Sequence, residues 1–280
     1  MIHTQKYFKQ ITIVYCLLSI VYFASAQDES SPLLQQKEKQ SEIKKIKTCT
    51  GTSCSYGKNG VAEKHGYRSS LESYDANGNL VESILYSPEE KISETTRSKY
   101  NIVGKLIEEE KIFPEEAPQK HTYVYDKQGR LDYGKVYMDT AIVHTCTYKY
   151  VNDRLSEMIV EHHIQFEKDV PAQEVIIYKY DDKGNKIREE DYEIQLSAEK
   201  LGTDNVNAKG NYKIKKLISS TDFMYDANSR VTQSIQYADK NCTGKTQFHY
   251  DADGNITEEI YYEGCAEKPE YIIKYDYTYY

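Results

Sequence analysis

The stretch Tyr74-Asp-Ala-Asn-Gly-Asn-Leu80 decides the fold, because variants of it recur along the chain. Seven further copies keep much of the pattern Tyr-Asp-x-x-Gly-x-Leu, and they begin at Tyr100, Tyr125, Tyr150, Tyr180, Tyr225, Tyr250 and Tyr275. Successive tyrosines are 26, 25, 25, 30, 45, 25 and 25 residues apart. A period this regular indicates an internal structural repeat. These eight residues are called the turn tyrosines below.

Each copy predicts a β-hairpin. The Asp75 side chain can accept a hydrogen bond from a backbone N–H two residues on, which makes an Asx turn. Gly78 supplies the positive φ that a three-residue loop with a bulge needs. This geometry places Tyr74 opposite Leu80. Ser229 replaces the glycine in one copy and predicts a weaker turn.

The alternation of side chains along a strand predicts one aromatic face and one wet face. Stepping back from the turn tyrosines, the aromatic face receives Tyr123, Tyr148, Tyr178, Phe223, Phe248 and Ile273. Stepping forward, it is predicted to receive Ile84, Tyr86, Tyr133, Tyr137, Ile235, Tyr237, Ile260 and Tyr262. Tyr86, Tyr137, Tyr192, Tyr237 and Tyr262 each follow their turn tyrosine by 12 residues, which indicates one shared hairpin register.

The predicted fold class is therefore all-β, an antiparallel meander of hairpins with a period of about 25 residues. Open twisted sheets rarely exceed about ten strands without curling or splitting. We expect about fifteen strands, by the hairpin rule, to form a long curled sheet, an open barrel or a shell, with the tyrosines inside. Residues 195–219 are predicted to be an insertion of about one hairpin's length.

The N-terminus predicts export. Lys6 and Lys9 precede an apolar run, and Ala24-Ser-Ala26 has the form of a signal-peptide cleavage site. We expect residues 1–26 to be a signal peptide cut after Ala26, because the run is too short for a membrane span. Residues 27–66 are expected to be a tail with a short helix or a charged segment, and residues 67–280 to be the repeat domain. The predicted location is secreted, periplasmic or at the cell envelope.

The composition excludes several classes of protein. The chain has 28 tyrosines, no tryptophan, a formal net charge of −8 and 29% charged residues. A mean hydropathy of −0.74 excludes a multi-span helical membrane protein. No long basic block occurs, so nothing favours nucleic-acid binding.

Five cysteines follow the predicted cleavage site, and export permits disulfides. Cys49 and Cys54 bracket a short segment that a local disulfide could close. Cys242 and Cys265 fall in successive loops between repeats and could also pair, which leaves Cys146 over. The alternative is that all five are buried thiols.

Catalytic signals are weak in this sequence, and we expect neither an enzyme nor a cofactor. The predicted hairpin at Tyr150 places His144 opposite Glu161, with His163 nearby. Two imidazoles and a carboxylate could bind a metal ion. The favoured interpretation is a cluster of surface residues.

The aromatic stripe has two interpretations. Tyrosine pairs across strands can form the core of a thin sheet while their hydroxyl groups stay wet. An exposed aromatic row can instead bind glycans or extended peptides, and the candidate ligand-binding residues are Tyr123, Tyr125, Tyr148, Tyr150, Tyr178 and Tyr180.

The repeat resembles the YD repeats of the RHS family, and it is most similar to short secreted bacterial YD-repeat proteins. The best matches are the copies at Tyr74, Tyr125 and Tyr250, and the resemblance covers about residues 67–280. The leader with Gln27 after its cleavage site resembles signal peptides common in Bacteroidota. The resemblance implies a hairpin array that acts as a shell or an adhesive surface. The cargo-enclosing role of large family members does not carry over, since this chain lacks the length.

Together these features predict an exported, non-enzymatic β-repeat protein that binds a protein or glycan at the cell envelope, with no nucleic-acid partner and no membrane span after cleavage. Two alternatives stay open. One is a secreted carbohydrate-active or metal-dependent enzyme, and the other is an accessory or immunity partner of an RHS-type toxin.

Overall fold

A closed antiparallel barrel forms the described part of the chain. The computed structural model describes residues 45–57, 60–163, 172–196 and 212–280. The strands in these ranges, numbered in chain order, are β1 Ile46–Ser55, β2 Tyr67–Tyr74, β3 Leu80–Tyr86, β4 Ile92–Tyr100, β5 Leu106–Ile112, β6 Gln119–Tyr125, β7 Leu131–Met138, β8 Ala141–Val151, β9 Arg154–His162, β10 Gln173–Tyr180, β11 Lys186–Leu196, β12 Tyr212–Tyr225, β13 Val231–Ala238, β14 Asn241–Tyr250, β15 Ile256–Glu263 and β16 Tyr271–Tyr279. Each strand pairs with its neighbours in sequence, and β1 pairs with β16 to close the ring. The predicted all-β hairpin meander is confirmed.

The strand that closes the barrel comes from the segment predicted to be a tail. β1 pairs with β2 on one side and β16 on the other. Residues 46–55 therefore belong to the barrel and not to a tail. The predicted signal peptide, residues 1–26, and the possible helix up to residue 44 lie outside the described residues.

The predicted insertion at residues 195–219 lengthens two strands. β11 and β12 have 11 and 14 residues and pair as far as Leu196 and Tyr212. Residues 197–211 lie outside the described ranges. No helix that could span a membrane occurs in the part of the chain that the structure describes.

The turns have the predicted chemistry. Asp75 Oδ1 accepts hydrogen bonds from the backbone N–H groups of Asn77 and Asn79, at 2.8 and 2.9 Å. Gly78 has φ 93°, which suits glycine, and Ser229 adopts φ 60° in the equivalent position. Tyr74 lies opposite Leu80, as predicted.

A β-bulge follows each of these turns and reverses the faces predicted for the strand after the turn. Tyr74 pairs with Leu80, but Ser73 pairs with Glu82, so two residues on β3 oppose one on β2. Leu80 therefore shares the face of Tyr74, whereas Ile84 lies opposite Leu71 on the other face. The prediction of one common face is wrong for the residues beyond the bulge, which are Ile84, Tyr86, Tyr133, Tyr137, Tyr192, Ile235, Tyr237, Ile260 and Tyr262.

The face that carries the turn tyrosines is the inner wall of the barrel. Side chains on the concave side of a closed barrel crowd together, and this face is the more buried one. Leu131, Val231 and Ile256 are at most 3% exposed beside the turns. The substantial contacts between strands are all between ladder neighbours, so the wall is a single layer of sheet.

Candidate binding surface on the inner wall

The turn tyrosines fasten each hairpin to the preceding one. Tyr180 Oη donates to the carbonyl oxygen of Leu155 at 2.8 Å, and Tyr250 Oη donates to that of Val231 at 2.6 Å. The same bond runs from Tyr100 to Leu80, from Tyr125 to Leu106 and from Tyr225 to Lys186. Because five repeats share this bond, these hydroxyl groups serve structure rather than a ligand.

A cation from the preceding turn covers many of the same rings. Arg130 lies 4.6 Å from the ring centroid of Tyr150, and Arg230 lies 4.9 Å from that of Tyr250. Lys105 over Tyr125 and Arg154 over Tyr180 repeat the arrangement. Lys105, Arg154 and Arg230 each stand just before the residue whose carbonyl accepts the tyrosine hydroxyl, so one turn holds both ring and hydroxyl group.

The six tyrosines predicted to bind a ligand all lie on the inner wall, but they differ in accessibility. Tyr148 and Tyr178 are 7% and 5% exposed and belong to a core cluster with Met158 and Ile176. The other four, Tyr123, Tyr125, Tyr150 and Tyr180, are half-buried and pack against that cluster. The six rings therefore belong mainly to the hydrophobic core. Only the four half-buried rings have surface that a ligand could contact.

The three residues of the alternative metal site, His144, Glu161 and His163, are divided between the two faces of the wall. A bulge between Lys149 and Tyr150 shifts the ladder, so His144 pairs with His162 and Glu161 pairs with Thr145. His144 therefore faces the lumen, while Glu161 lies on the outer wall. His163 Nε2 lies 2.8 Å from Thr145 Oγ1, also on the outer side. The predicted pairing of His144 with Glu161 is wrong, because that prediction ignored the bulge.

Two buried histidines contact each other instead. The Nδ1 atoms of His144 and His162 are 2.8 Å apart, with the rings edge to face. Burial, and then the charge of His162, lowers the pKa of His144 to about 3, so His144 is neutral. His162 Nε2 lies 3.5 Å from Glu174 Oε2. Among the described residues no group of three His, Cys, Asp or Glu side chains is arranged to hold a metal ion.

His144, His162 and Glu174 begin a strip of buried polar side chains on the inner wall, here called the polar strip. Buried carboxyl groups extend this strip onto β11. Glu174, Glu189 and Asp191 are each at most 7% exposed on the inner wall. Burial, followed by the charges of Glu174 and Glu189, raises the pKa of Asp191 to about 8. Asp191 therefore carries a proton at neutral pH, because a third charge in this strip is too costly.

Lys186 is the cation of this strip, and it occupies a position that holds leucine, valine or isoleucine in other repeats. It pairs with Tyr180 across the turn, where Leu80 stands in the first copy. Its Nζ lies 2.8 Å from Glu189 Oε2 and 5.1 Å from the ring centroids of both Tyr178 and Phe223. The next residue, Ile187, is an apolar side chain that is 39% exposed.

The strand geometry of the barrel determines which cysteines can form a disulfide. A disulfide joins Cys242 to Cys265, one of the two pairs that the sequence indicates. Cys49 and Cys54 are buried thiols in β1, where five residues of extended strand separate them by roughly 17 Å. A bond between them is therefore impossible. Cys146 is also a buried thiol, beside a small cavity of about 20 Å³ that Tyr123 and Tyr148 also line.

The open rim, the end of the barrel away from the Tyr-Asp turns, carries a second aromatic site that sequence reasoning missed. Tyr261 and Tyr271 pair across β15 and β16, and their rings stack at 4.9 Å with an angle of 22°. Both are half-buried. A Cβ on Gly244 would lie 3.1 Å from Tyr261 Oη, so this glycine makes room for the ring. No motif marks the pair, although Tyr271 does stand four residues before a turn tyrosine.

The outer wall carries many ion pairs. Lys149 pairs with Glu157 at 2.8 Å, and Arg97 pairs with Glu82 at 3.2 Å. Further outer pairs are Lys99–Glu108, Lys120–Glu108, Lys179–Glu190, Arg188–Glu190 and Arg188–Asp222. On the inner wall, by contrast, several carboxylates are bonded to hydroxyl groups: Glu72 accepts from Tyr74, Glu94 from Thr96 and Glu109 from Tyr123.

Comparison with known proteins gives only distant likeness. No family model and no curated protein match the chain. The solved structure of TcdB2-TccC3-Cdc42 has 15% identity over 76% of this chain and 10% of its own, with a TM-score of 0.32. TcdB2-TccC3-TEV has 11% identity over 74% and 14%, with a TM-score of 0.28. This chain thus spans about a tenth to a seventh of those chains.

A porin-like protein from Bacteroides uniformis ATCC 8492 matches 83% of this chain and 96% of its own, at 10% identity and a TM-score of 0.46. At these values the likeness shows neither a shared family nor a shared function. The resemblance to the RHS family stays a prediction. What the structure defines is a β-hairpin barrel protein.

Proposed function

We propose that the protein is an exported, non-enzymatic β-repeat protein whose barrel binds a protein or glycan at the cell envelope. One observation carries this proposal: half-buried aromatic and polar side chains share the inner wall, whereas the sheet separates His144 from Glu161 and His163, the three residues of the alternative metal site. Rings that combine with nearby hydroxyl and carboxyl groups are the usual lining of a binding surface.

The pair Tyr261 and Tyr271 is the best anchor for such a ligand. The rings are stacked, so one ring already supports the other and little side-chain entropy is lost on binding. The turn tyrosines are poorer anchors, because hydroxyl group and ring face are engaged by the preceding repeat.

Adjacent tyrosines on opposite faces provide the test. Purified protein is screened for saturable binding against arrays of glycans and peptides, and in parallel against a broad panel of hydrolase substrates. We expect binding without turnover. Tyr261→Ala is expected to weaken binding about tenfold, while Tyr262→Ala, on the outer wall beside Lys245, leaves the affinity unchanged.

Thermal unfolding of both variants controls for damage to the barrel. Tyr261→Phe retains the ring and should retain most of the affinity. Turnover of any substrate by the wild-type protein, or equal losses in the two alanine variants, would contradict the proposal.

A further inference from the structure

The two faces of the barrel wall differ in charge. Between the rims the ladder register places eight acidic side chains and three lysines on the inner wall: Glu72, Glu94, Glu109, Glu174, Glu189, Asp191, Glu193, Glu259, Lys111, Lys186 and Lys216. On the outer wall many acids form ion pairs with lysine or arginine. The inner wall therefore carries more acids than lysines, and its acids lie on β2, β4, β5, β10, β11 and β15.

Lys186 demonstrates how this wall receives a cation. Its ammonium group lies between the rings of Tyr178 and Phe223 and forms an ion pair with Glu189, with 1% of the side chain exposed. Aromatic rings and a carboxylate together favour a buried ammonium or guanidinium group. The same two kinds of side chain occur elsewhere on the inner wall, as at Glu259 and the neighbouring Tyr261.

Asp191 independently indicates an unsatisfied hydrogen-bond acceptor inside the barrel. The residue is 6% exposed, and its Oδ1 atom lacks a hydrogen-bond partner. Its position opposite Ile176 directs it inward. A buried carboxyl oxygen without a partner costs free energy that an approaching donor recovers.

We propose that the lumen binds a lysine- or arginine-rich segment of a partner polypeptide. This inference rests on the proposed binding function and narrows the partner to a basic protein. Other barrels of sixteen strands enclose an aqueous channel, and we expect a lumen of that width to admit an extended chain. Because the acids are spread over six strands, a segment with several cations matches them better than one small ion.

Glu258 and Glu259 are adjacent on β15, and they allow the same change on opposite walls. Glu259 lies opposite Phe248 on the inner wall, and Glu258 lies opposite His249 on the outer wall. Fluorescein-labelled decalysine is titrated into the purified protein at low and high salt. We expect Glu259→Gln to raise Kd about fivefold and Glu94→Gln/Glu259→Gln about 25-fold, since the two sites are on distant strands.

The matched control is Glu82→Gln/Glu258→Gln, which removes two outer acids and should leave Kd within twofold of wild type. High salt should weaken wild-type binding, because exposed charges are screened. Thermal unfolding checks that each variant is folded. Equal losses for inner and outer variants would show non-specific attraction to an acidic protein and would overturn the inference, as would the absence of decalysine binding.

A neutral glycan or an uncharged peptide separates this inference from the proposed function. If the wild-type protein binds such a ligand through Tyr261 but does not bind decalysine, the inference of a basic partner is wrong and the proposed binding function still holds. If decalysine binding depends on Glu259, both the inference of a basic partner and the proposed binding function are supported.

Discussion

Two arcs of the same barrel are built on the same turn motif but packed very differently. In the dense arc, strands β6–β11, Met158, Val160 and Ile176 are at most 1% exposed on the inner wall. In the sparse arc, strands β2–β5, the inner wall carries many polar side chains, such as Ser83, Ser98 and Glu94, and Leu85 is 42% exposed.

The turns do not share this difference. Tyr100 in the sparse arc and Tyr180 in the dense arc make the same hydroxyl bond to the preceding repeat, at 2.9 and 2.8 Å. The motif therefore sets the turn and the connection between hairpins, while the residues between motifs decide how much apolar surface is buried. Stability should be concentrated in the dense arc.

Core truncation should separate the two arcs most strongly. Met158→Ala leaves a cavity in the buried cluster and should lower the free energy of unfolding by about 2–5 kcal/mol. Leu85→Ala in the sparse arc should cost less than about 1 kcal/mol, because the side chain is already partly in water. Urea denaturation measures both, and similar losses would refute the division into arcs.

The pH dependence of stability should distinguish the arcs next, since of the two arcs the dense one contains His121, His144 and Asp191, whose pKa values are strongly displaced. The pKa of Asp191 is raised from 3.8 to about 8, so its contribution to stability is lost as pH rises through that range. Asp191→Asn should therefore gain stability relative to wild type between pH 5 and pH 8. A difference that does not change with pH would contradict the buried, protonated carboxyl group.

Lowering the pH should destabilise the dense arc, because protonation of its buried histidines favours the unfolded state. Burial, and then the charge of Lys111, lowers the pKa of His121 to about 3, and the pKa of His144 is also about 3. Both values lie below 6.5, so these two side chains favour unfolding as pH falls from 6.5 towards 3. Hydrogen exchange as a function of pH should show the dense arc losing protection in this window. If hydrogen exchange in the dense arc stays constant between pH 6.5 and pH 3, the proposed destabilisation by these histidines is wrong.

The hydroxyl bonds of the turn tyrosines should behave alike in both arcs. Tyr100→Phe and Tyr180→Phe each remove one hydrogen bond and retain the ring, so each should cost about 0.5–1.5 kcal/mol. Tyr137→Phe on the outer wall provides the control. A loss confined to the dense arc would show that packing, not the motif, sets the strength of the connection.

The smallest expected effect belongs to the turn at Ser229. Its φ of 60° favours glycine, so Ser229→Gly should stabilise the protein by less than about 1 kcal/mol, after the greater flexibility of unfolded glycine is subtracted. Gly78→Ser, the reverse change at φ 93°, should destabilise. Thermal unfolding of the two variants tests whether the turns are interchangeable.

The sequence predicted the turns well and the walls less well. Asp75, Gly78 and Leu80 act locally, so their roles follow from a few neighbouring residues. The faces of Tyr86 and Tyr137 depend on one bulge per hairpin, and a single extra residue moves every later side chain to the opposite wall. His144 was matched with Glu161 instead of His162 for the same reason.

The inner polar strip was harder to find. Glu174, Lys186 and Asp191 come from two strands whose register is not visible in any motif. The one available signal was Lys186, a lysine where other repeats have leucine, valine or isoleucine.

By itself, the sequence determined that this chain forms repeated antiparallel hairpins with one turn chemistry, because the repeat and the φ requirement of each turn are local. Only the tertiary structure decided that β1 pairs with β16, that the bulges assign tyrosines to two walls, and that acids gather inside. Those outcomes depend on pairing between residues far apart in sequence, and on how much room the concave side of a closed sheet leaves for each side chain.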